Sequence, residues 1–318
     1  MKFYYINLNR SQDRNKNMLL FFNNLSNVIN NVDFERVEGL DGNNEDLDNY
    51  ISLFKFSDLK GSYYINKNIY HYGVKFNTHN KAVFEIPLKK GEFGCLYSHL
   101  KAIYNFTKSE EDFAFICEDD LDNNFIYKSD YLNEQLNYLI KELDKYGIII
   151  ISSVGSNKII NNILNNKMFK KTENLYKFIP YCFYGTGCYL INKKIAKKII
   201  DSCIIFKEHN MILNIPTTKT SLVADNFIYS FANTHVYLPS LFFIKDNNDS
   251  LINNNISKQH QSQDLMIKYL IENNFDNLQL DNKKNTIEKT NTNSEITKIK
   301  SKKKSKITNY LLLKSLMR

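Results

Sequence analysis

Short apolar runs alternate with amphipathic stretches along most of the 318-residue chain. Apolar runs of a few residues are typical of buried strands, whereas apolar residues repeated three and four positions apart are typical of helices. Because the two patterns alternate, we predict an α/β fold with a mainly parallel sheet and helices on both faces. The predicted strands cover residues 2–8, 34–39, 113–117, 148–151, 177–184, 188–191 and 241–244, and the predicted helices cover residues 11–25, 89–107, 131–146 and 193–202.

The first helix carries a specific expectation about its buried face. Ser11 is its predicted N-cap, because a serine side chain can accept a hydrogen bond from an otherwise unpaired backbone N–H of the first turn. Met18, Leu19, Phe22 and Leu25 are spaced so that they share one side of the helix. We therefore expect these four residues to pack against the sheet.

The same pattern divides the chain into a folded domain, a linker and a tail. Residues 1–256 are predicted to form the domain, with an irregular insertion at 43–86 and an Asn- and Lys-rich loop at 157–174. Residues 257–295 are polar and partly low in complexity, which predicts a linker. Residues 296–318 form a basic amphipathic tail.

The net charge of +8 belongs to the tail. Residues 296–318 contain eight basic residues and no acidic residue, which leaves 34 basic and 34 acidic residues in the rest of the chain. A domain without an excess of positive charge argues against nucleic-acid binding. If ordered, the tail would form a basic helix able to lie on an anionic membrane surface; the alternative is a disordered, solubilising tail.

The cysteines and the apolar segments predict a cytoplasmic protein. The five cysteines lie in apolar surroundings without the spacing of a zinc site, so we expect reduced, buried thiols. No run of 18 apolar residues occurs, and the chain starts with a strand-like segment that lacks a signal-peptide pattern. The tail adds the hypothesis of a peripheral position on the inner face of the membrane.

The strongest candidate for chemistry is the stretch at residues 112–122. Five apolar residues are followed at once by Glu118, Asp119 and Asp120, which places these acids at the carboxyl end of a buried strand. Open α/β sheets bind their ligands there. Alternation along the strand would point Glu118 and Asp120 one way and Asp119 the other. Two converging carboxylates suit a divalent cation held between the protein and substrate phosphates, and a solvated acidic turn is the alternative.

Further candidates lie near the ends of other predicted elements. Arg10 and Arg14 follow the first strand, at a position suited to a phosphate or a nucleobase, or simply to surface charge. His99 has apolar neighbours in its helix, where a hydrogen-bonded packing role is the alternative to catalysis. Residues 185–187, Gly-Thr-Gly, form a hinge able to bring backbone close to a ligand. Asp225 is predicted to cap a later helix.

Several blocks, taken in their order along the chain, resemble the motifs of a known family. They are residues 5–11 with Asp13 and Arg14, residues 34–42, 91–99, 116–120 and 185–191, and then Asp225, Pro239 and Asp249-Ser250. The order and content are similar to glycosyltransferase family 25, the lipooligosaccharide-biosynthesis glycosyltransferases that also include the collagen galactosyltransferases. The resemblance covers about residues 2–252. The family commonly has other residues at Gly187 and Cys188, and often a glutamine near Lys245. These departures concern which sugar is transferred and which acceptor receives it, not the class of reaction.

The resemblance implies a GT-A type, Rossmann-like fold. It also implies inverting transfer of a hexose, galactose first, from a UDP-sugar to a lipid-linked or protein-linked glycan in lipooligosaccharide or lipopolysaccharide biosynthesis. Glu118 and Asp120 would hold Mn²⁺ or Mg²⁺, with Asp120 the preferred ligand, and Asp225 would take the proton from the acceptor hydroxyl. The implied donor contacts are Asn9, Arg10, Arg14, Ser98, His99, Glu118, Asp119 and Thr186.

Two other classes of function fit the acidic cluster. A metal-dependent phosphoryl-transfer enzyme or nuclease would use the same acids, together with further carboxylates around two metal ions. A non-catalytic domain would bind a nucleotide sugar or a partner without turning it over. The three classes differ in what they do to a nucleotide-sugar donor, which makes donor turnover the discriminating observation.

Overall fold

The fold is described here from a computed structural model. The described residues are 1–64, 69–71, 74–76, 84–123, 125–165, 174–180, 182–208, 210–215, 221–245, 257–272 and 278–280. The predicted basic tail at 296–318 lies outside the described residues.

The helices and strands follow the predicted alternation over most of the described chain. The α-helices are α1 (Gln12–Ser26), α2 (Lys90–Lys108), α3 (Ser129–Tyr146), α4 (Asn157–Asn165), α5 (Lys193–Cys203), α6 (Ala224–Tyr229) and α7 (Ser257–Glu272), with 3₁₀-helices at Leu47–Tyr50 and Phe56–Asp58. The strands are β1 (Lys2–Asn7), β2 (Asp33–Glu38), β3 (Lys60–Tyr64), β4 (Ile69–His71), β5 (Val74–Phe76), β6 (Phe84–Pro87), β7 (Phe113–Glu118), β8 (Phe125–Tyr127), β9 (Ile148–Gly155), β10 (Leu175–Lys177), β11 (Phe183–Asn192), β12 (Ile204–Lys207), β13 (Asn210–Leu213), β14 (His235–Tyr237) and β15 (Leu278–Leu280). Among the described residues, no helix has the length and apolar character that crossing a bilayer requires.

Seven of these strands form the central sheet, in the order β10-β14-β9-β11-β7-β1-β2. β1 is parallel to β2 and to β7, and β14 is parallel to β9. β11 runs antiparallel between β7 and β9, and β10 runs antiparallel to β14. The predicted α/β fold is confirmed, and the sheet is mixed because β11 reverses direction at its centre.

Helices cover both faces of the sheet, as predicted. Successive side chains of β1 point to opposite faces. On one face, the rings of Phe3 and Tyr5 lie 5.5 and 5.4 Å from the ring of Phe22 in α1. On the other face, the ring of Tyr4 lies 6.4 Å from that of Phe106 in α2. All five side chains are buried, and each burial contributes about 1.5–3 kcal/mol to stability.

The topology brings the ends of three strands to one edge of the sheet. β1 and β7 are parallel neighbours with Ile6 opposite Glu118, so their carboxyl ends meet at this edge. β11 is antiparallel to β7, with Cys188 opposite Cys117, and therefore starts at the same edge. Gly185 lies near that start, in a left-handed backbone conformation (φ +94°) that favours glycine. Residues 185–187, predicted as a hinge between two strands, instead lie within β11, and strand direction brings them next to the acidic residues.

The prediction for α1 is correct in position and partly wrong in detail. The helix starts directly after Ser11, but the Ser11 side chain makes no capping hydrogen bond. Leu19 is 44% exposed, and Phe21 is buried in its place. At 100° per residue, Phe21, Leu25, Met18 and Phe22 share one arc of about 100° that faces the sheet, whereas Leu19 falls outside that arc.

The loop predicted at 157–174 is wrong for its first half. Residues 157–165 form α4, which buries Ile159, Ile160 and Ile163 on one face. Asparagine is a poor helix former, so the composition suggested a loop, but tertiary packing of the isoleucines outweighs that local preference. Residues 166–173 lie outside the described residues.

Two predictions near the end of the domain are also wrong. The N-cap of α6 is Val223, and Asp225 lies inside its first turn. Residues 241–244 form no sheet strand; Ile244 makes an isolated antiparallel bridge with Leu121. The proline-based edge-strand argument fails because β14, just before the proline, lies inside the sheet between β10 and β9.

A helix occupies the start of the stretch predicted as a linker. α7 packs against α4 and β9, and it buries Met266 and Leu270 completely. Two of its polar side chains, Ser262 and Gln263, are also buried. The polar composition of α7 is therefore compatible with a packed helix, because Ser262 Oγ and Gln263 Oε1 accept hydrogen bonds from Gly155 N and Ile244 N.

Candidate active site

A cleft of about 440 Å³ opens at the edge where β1 and β7 end. Its walls come from the loops after β1 and β2, the first half of α2, the end of β7, the start of β11, the start of α6 and residues 244–245. The sequence-predicted residues that line it are Arg10, Arg14, Ser98, His99, Glu118, Asp119, Asp120, Thr186 and Asp225. The structure thus brings all the predicted site residues together except Asn9.

Glu118 lies at the end of β7 and is held by side chains from two other elements. The Thr186 hydroxyl of β11 donates a hydrogen bond to Glu118 Oε1. The same oxygen lies 3.5 Å from His99 Nε2, and His99 Nδ1 lies 3.2 Å from the Tyr189 hydroxyl. Burial raises the pKa of Glu118, but the His99 ring, the Thr186 hydroxyl and nearby Arg14 outweigh it, so the pKa lies below its ordinary value. Glu118 is therefore an anion at neutral pH.

Asp119 is paired within the protein. It accepts a hydrogen bond of 2.7 Å from Asn7 Nδ2 at the end of β1 and one of 2.8 Å from Arg14 Nη1 in α1. Its side chain is only 9% exposed. Burial raises its pKa, although Arg14 and Asn7 favour the charged form. These contacts tie the acidic stretch to the β1–α1 unit.

Asp120 is the acid with an unsatisfied oxygen. Its Oδ1 is buried and has no hydrogen-bond partner among the described residues. Burial, together with repulsion from Glu118 and Asp119, raises the pKa of Asp120 to about 8. A buried oxygen without a partner is costly in a folded protein. The three consecutive acids therefore have three different environments, and Asp120 is the one with a buried oxygen that no described residue hydrogen-bonds.

Glu118 and Asp120 together offer oxygen ligands of the kind that hard divalent cations prefer. A bound cation would satisfy Asp120 Oδ1 and would reverse the electrostatic effect that keeps this carboxyl protonated. The residues present therefore fit the predicted Mn²⁺ or Mg²⁺.

A second set of metal-ligating groups overlaps with this pair. One ligand atom each from Cys95, His99 and Glu118 lies within 4.8 Å of the others. Sulfur and imidazole ligands suit zinc better than Mg²⁺ or Mn²⁺, and the thiol must lose its proton to bind. Burial, with repulsion from Glu118, holds the pKa of the Cys95 thiol well above its ordinary value. The oxygen pair is therefore the better site for a hard cation.

Asp225 lies in another wall of the cleft and is fixed by backbone groups. Its Oδ2 accepts a hydrogen bond of 3.0 Å from Gly185 N, and its Oδ1 accepts one of 2.6 Å from Asn226 N. The Tyr229 hydroxyl donates to Gly185 O at 3.0 Å, which holds the glycine turn against α6. Burial raises the pKa of Asp225, and the two backbone N–H groups partly offset this effect. The carboxylate that was expected to cap α6 instead holds Gly185 at the irregular start of β11.

The remaining predicted donor contacts are bound within the protein to different degrees. Arg10 forms an ion pair with Asp41. Ser98 is 2% exposed; its hydroxyl donates to Gly94 O at 2.5 Å and accepts from Leu40 N at 2.8 Å. His99 is 1% exposed and lies beneath Glu118. Asn9 hydrogen-bonds to Glu38 and Arg36 outside the cleft lining.

Sequence reasoning missed two residues that shape the site and gave no role to a third. Asn7 binds Asp119 and Tyr189 binds His99. Lys245, noted in the sequence only as a departure from the family pattern, lines the cleft. Asn7 is the polar residue at the end of an apolar strand, and this position is the sequence feature that could have identified it as a site residue. Tyr189 lies inside an apolar strand, where nothing in the local sequence separates it from a packing residue.

Comparisons with known proteins show the family of the chain. No curated protein matched the chain. A family model described as glycosyltransferase family 25 (LPS biosynthesis protein) matches residues 1–213, more than half of the chain. The match includes β1, the acids after β7 and the glycine turn of β11, whereas Asp225, Lys245 and α7 lie beyond it. The chain therefore belongs to glycosyltransferase family 25, the glycosyltransferases of lipopolysaccharide biosynthesis.

Proposed function

We propose that this glycosyltransferase moves a hexose, with galactose favoured, from a UDP-sugar to a glycan acceptor with inversion at the anomeric carbon. The observation that carries the proposal is one cleft with Glu118 and the unpartnered Asp120 in one wall and the buried Asp225 in another. Direct displacement needs a site for the charge of the leaving diphosphate and a base for the acceptor hydroxyl. The wall with Glu118 and Asp120 would supply the site for the diphosphate charge, and the wall with Asp225 would supply the base.

Glu118 and Asp120 would hold the divalent cation, Mn²⁺ or Mg²⁺. When bound, the cation neutralises charge that develops on the departing diphosphate. Glu118 is kept anionic and correctly oriented by Thr186 and His99. Asp120 supplies the oxygen that otherwise has no partner in the described part of the chain.

Asp225 is the proposed base. The acceptor oxygen forms a bond to the anomeric carbon while the bond from that carbon to the phosphate oxygen breaks. The hydroxyl proton passes to Asp225, and the electron pair of the broken bond leaves with UDP. A carboxylate with a raised pKa accepts a proton more readily, and the N–H groups of Gly185 and Asn226 keep it in place.

The wall formed by β1, α1 and α2 is proposed to bind the donor. Arg10 and Arg14 present guanidinium groups at the start of α1, where phosphate and ribose oxygens find donors. Asp119, directly after β7, and Thr186, in β11, would add polar contacts from neighbouring elements. The proposed donor contacts also include Asn9, Ser98 and His99.

We further propose that the protein works at the cytoplasmic face of a membrane. Lysines 298, 300, 302, 303, 304 and 306 precede an apolar segment that ends in Leu316 and Met317. Such a segment binds anionic lipid surfaces by charge and shallow apolar insertion. This part of the proposal rests on the sequence alone and is independent of the cleft.

The test uses the purified full-length chain with UDP-galactose, UDP-glucose and UDP-N-acetylglucosamine, a lipooligosaccharide acceptor, and MnCl₂ or EDTA. Transfer is followed by mass spectrometry. We expect metal-dependent transfer from one donor and its loss in Asp120→Asn, with the exposed Asp201→Asn on α5 as control. No turnover of any donor, together with UDP binding by Asp120→Asn equal to that of wild type, contradicts the proposal. Hydrolysis of phosphodiesters in place of transfer indicates the nuclease class.

A further inference from the structure

Among the described residues, three cationic side chains line the cleft, and they differ in whether an acid neutralises them. Arg10 is paired with Asp41, and Arg14 is paired with Asp119 at 2.8 Å. Lys245 has no acidic partner within 4 Å among the residues that the structure describes. Its charge is therefore available to a ligand.

The backbone of Lys245 is fixed directly beside the acidic stretch. Lys245 N donates a hydrogen bond of 2.6 Å to Asp120 O, and Asp122 N donates one of 2.7 Å to Phe243 O. These bonds enclose the bridge between Leu121 and Ile244 and make a short antiparallel ladder. Lys245 is thus held next to Asp120 by main-chain contacts that do not depend on its side chain.

A buried side chain of α7 supports the same segment from behind. Ile244 N donates a hydrogen bond of 3.1 Å to Gln263 Oε1, and Gln263 is only 3% exposed. The isoleucine side chain also packs against Gly187, where an added Cβ would come within 2.9 Å of Ile244 Cδ1. The segment is therefore held between β11 and α7, and Lys245 follows it into the cleft wall.

The charges of the cleft leave a role for one more cation. A divalent ion between Glu118 and Asp120 would be neutralised by these two carboxylates, and the charge of Arg14 is already matched by Asp119. The leaving diphosphate still carries negative charge that must be stabilised as the glycosyl bond breaks. A lysine ammonium is a compact point charge that binds phosphate oxygens without a fixed bidentate geometry.

We propose that the Lys245 ammonium contacts the diphosphate of the donor and stabilises the nucleoside diphosphate as it leaves. As the bond to the anomeric carbon breaks, its electron pair stays on the phosphate oxygen, and Lys245 keeps its proton. The proposal rests on the proposed function, because it presupposes a nucleotide-sugar donor. Lys245 lies beyond residues 1–213, which the family model matches.

The test compares Lys245→Gln and Lys245→Arg with wild type. The matched control is Lys194→Gln, because Lys194 is exposed on α5, which starts where β11 ends, at the opposite edge of the sheet from the cleft. Binding of UDP, UMP and uridine with MnCl₂ is measured by calorimetry, and kcat and KM are measured with the donor that wild type uses. Thermal unfolding of each variant checks that it is folded.

We expect Lys245→Gln to weaken UDP binding about tenfold and to lower kcat about tenfold or more, with uridine binding unchanged. Lys245→Arg, which keeps the charge, should recover much of both losses, and Lys194→Gln should behave as wild type. UDP affinity and kcat within about twofold of wild type in Lys245→Gln would overturn the Lys245 assignment while leaving the proposed function intact. Absence of UDP binding and of transfer in wild type would instead contradict the proposed function.

Discussion

The cleft has two walls that treat their charged groups in opposite ways. In the wall from β1, α1 and β7, Arg14 neutralises Asp119 and Arg10 neutralises Asp41. In the wall from the start of β11, α6 and residues 244–245, Asp225 is held only by uncharged N–H groups, and Lys245 has no acidic partner among the described residues. The cations of the first wall are paired with acids of the fold, whereas Asp225 and Lys245 in the second wall have no ion pair among the described residues.

Asp120 marks the boundary between the two walls. It follows the paired Asp119 directly, yet its Oδ1 has no hydrogen-bond partner in the part of the chain that the structure describes, and its pKa is raised to about 8. Its backbone oxygen accepts from Lys245 N in the other wall. A side chain that makes the apo fold less stable while lining a cleft is expected where ligand binding has been favoured over stability. The predictions below test this contrast in order of decreasing effect.

Asp225→Asn is expected to have the largest effect. An amide of the same shape keeps the contact with one backbone N–H but accepts no proton, so kcat should fall about 10²- to 10⁴-fold. UDP binding should stay within about twofold of wild type, because the base does not contact the nucleotide. Steady-state kinetics and calorimetry measure the two quantities. A variant that keeps kcat would remove Asp225 from the reaction.

Arg14→Gln tests the structural role of the first wall. The change leaves the buried Asp119 without its charged partner, and it should lower the free energy of unfolding by roughly 2–3 kcal/mol. The matched control is Arg10→Gln, whose side chain is 45% exposed, and it should cost less than about 1 kcal/mol. Urea unfolding followed by circular dichroism measures both. Equal losses in the two variants would contradict the difference assigned to burial.

Asp120→Asn should stabilise the metal-free protein at alkaline pH. The folded pKa is raised, so the stability that the protonated carboxyl contributes is complete below about pH 4 and is lost as the pH rises through about 8. The amide carries no such cost. We expect the variant to exceed wild type by about 1–3 kcal/mol near pH 8 and to match it near pH 4. Urea unfolding in EDTA across this range measures the difference, and a pH-independent difference would refute the assignment.

Thr186→Val should have the smallest effect of the four. The change keeps the shape of the side chain and removes the hydroxyl that donates to Glu118. Loss of a partner that orients a metal ligand typically lowers metal affinity about 10-fold or more. Titration of Mn²⁺ followed by electron paramagnetic resonance measures the affinity. Unchanged affinity would show that Thr186 does not orient Glu118 for metal.

The first wall could be predicted from the sequence to a large extent. The apolar run before Glu118 is a local feature, so the sequence pattern predicts β7 and the acids at its end. Because parallel strands end at one edge of the sheet, the pattern also predicts that β1 ends beside these acids. The pairing of Asn7 with Asp119 could not be predicted, since the two residues are 112 positions apart. Register between distant strands decides that contact, and register is invisible in either strand alone.

The second wall depends on contacts that local pattern does not contain. Asp225 was predicted to cap its own helix, whereas its carboxylate accepts from Gly185 N, 40 positions earlier. α7 was assigned to a linker because it is polar, yet Ser262 and Gln263 bury their polar groups against backbone N–H groups. A buried polar side chain satisfied by distant backbone cannot be told from an exposed one by composition. Asp225 was named as a site residue through the family resemblance, but its contact with Gly185 could not be predicted from local pattern.

The most direct test of the account is the position of Mn²⁺ in a crystal of the full-length protein with UDP, located by anomalous scattering. The account predicts one peak ligated by Glu118 and Asp120, with the UDP diphosphate beside it. A peak ligated by Cys95 and His99, or bound UDP without a peak at Asp120, would contradict it.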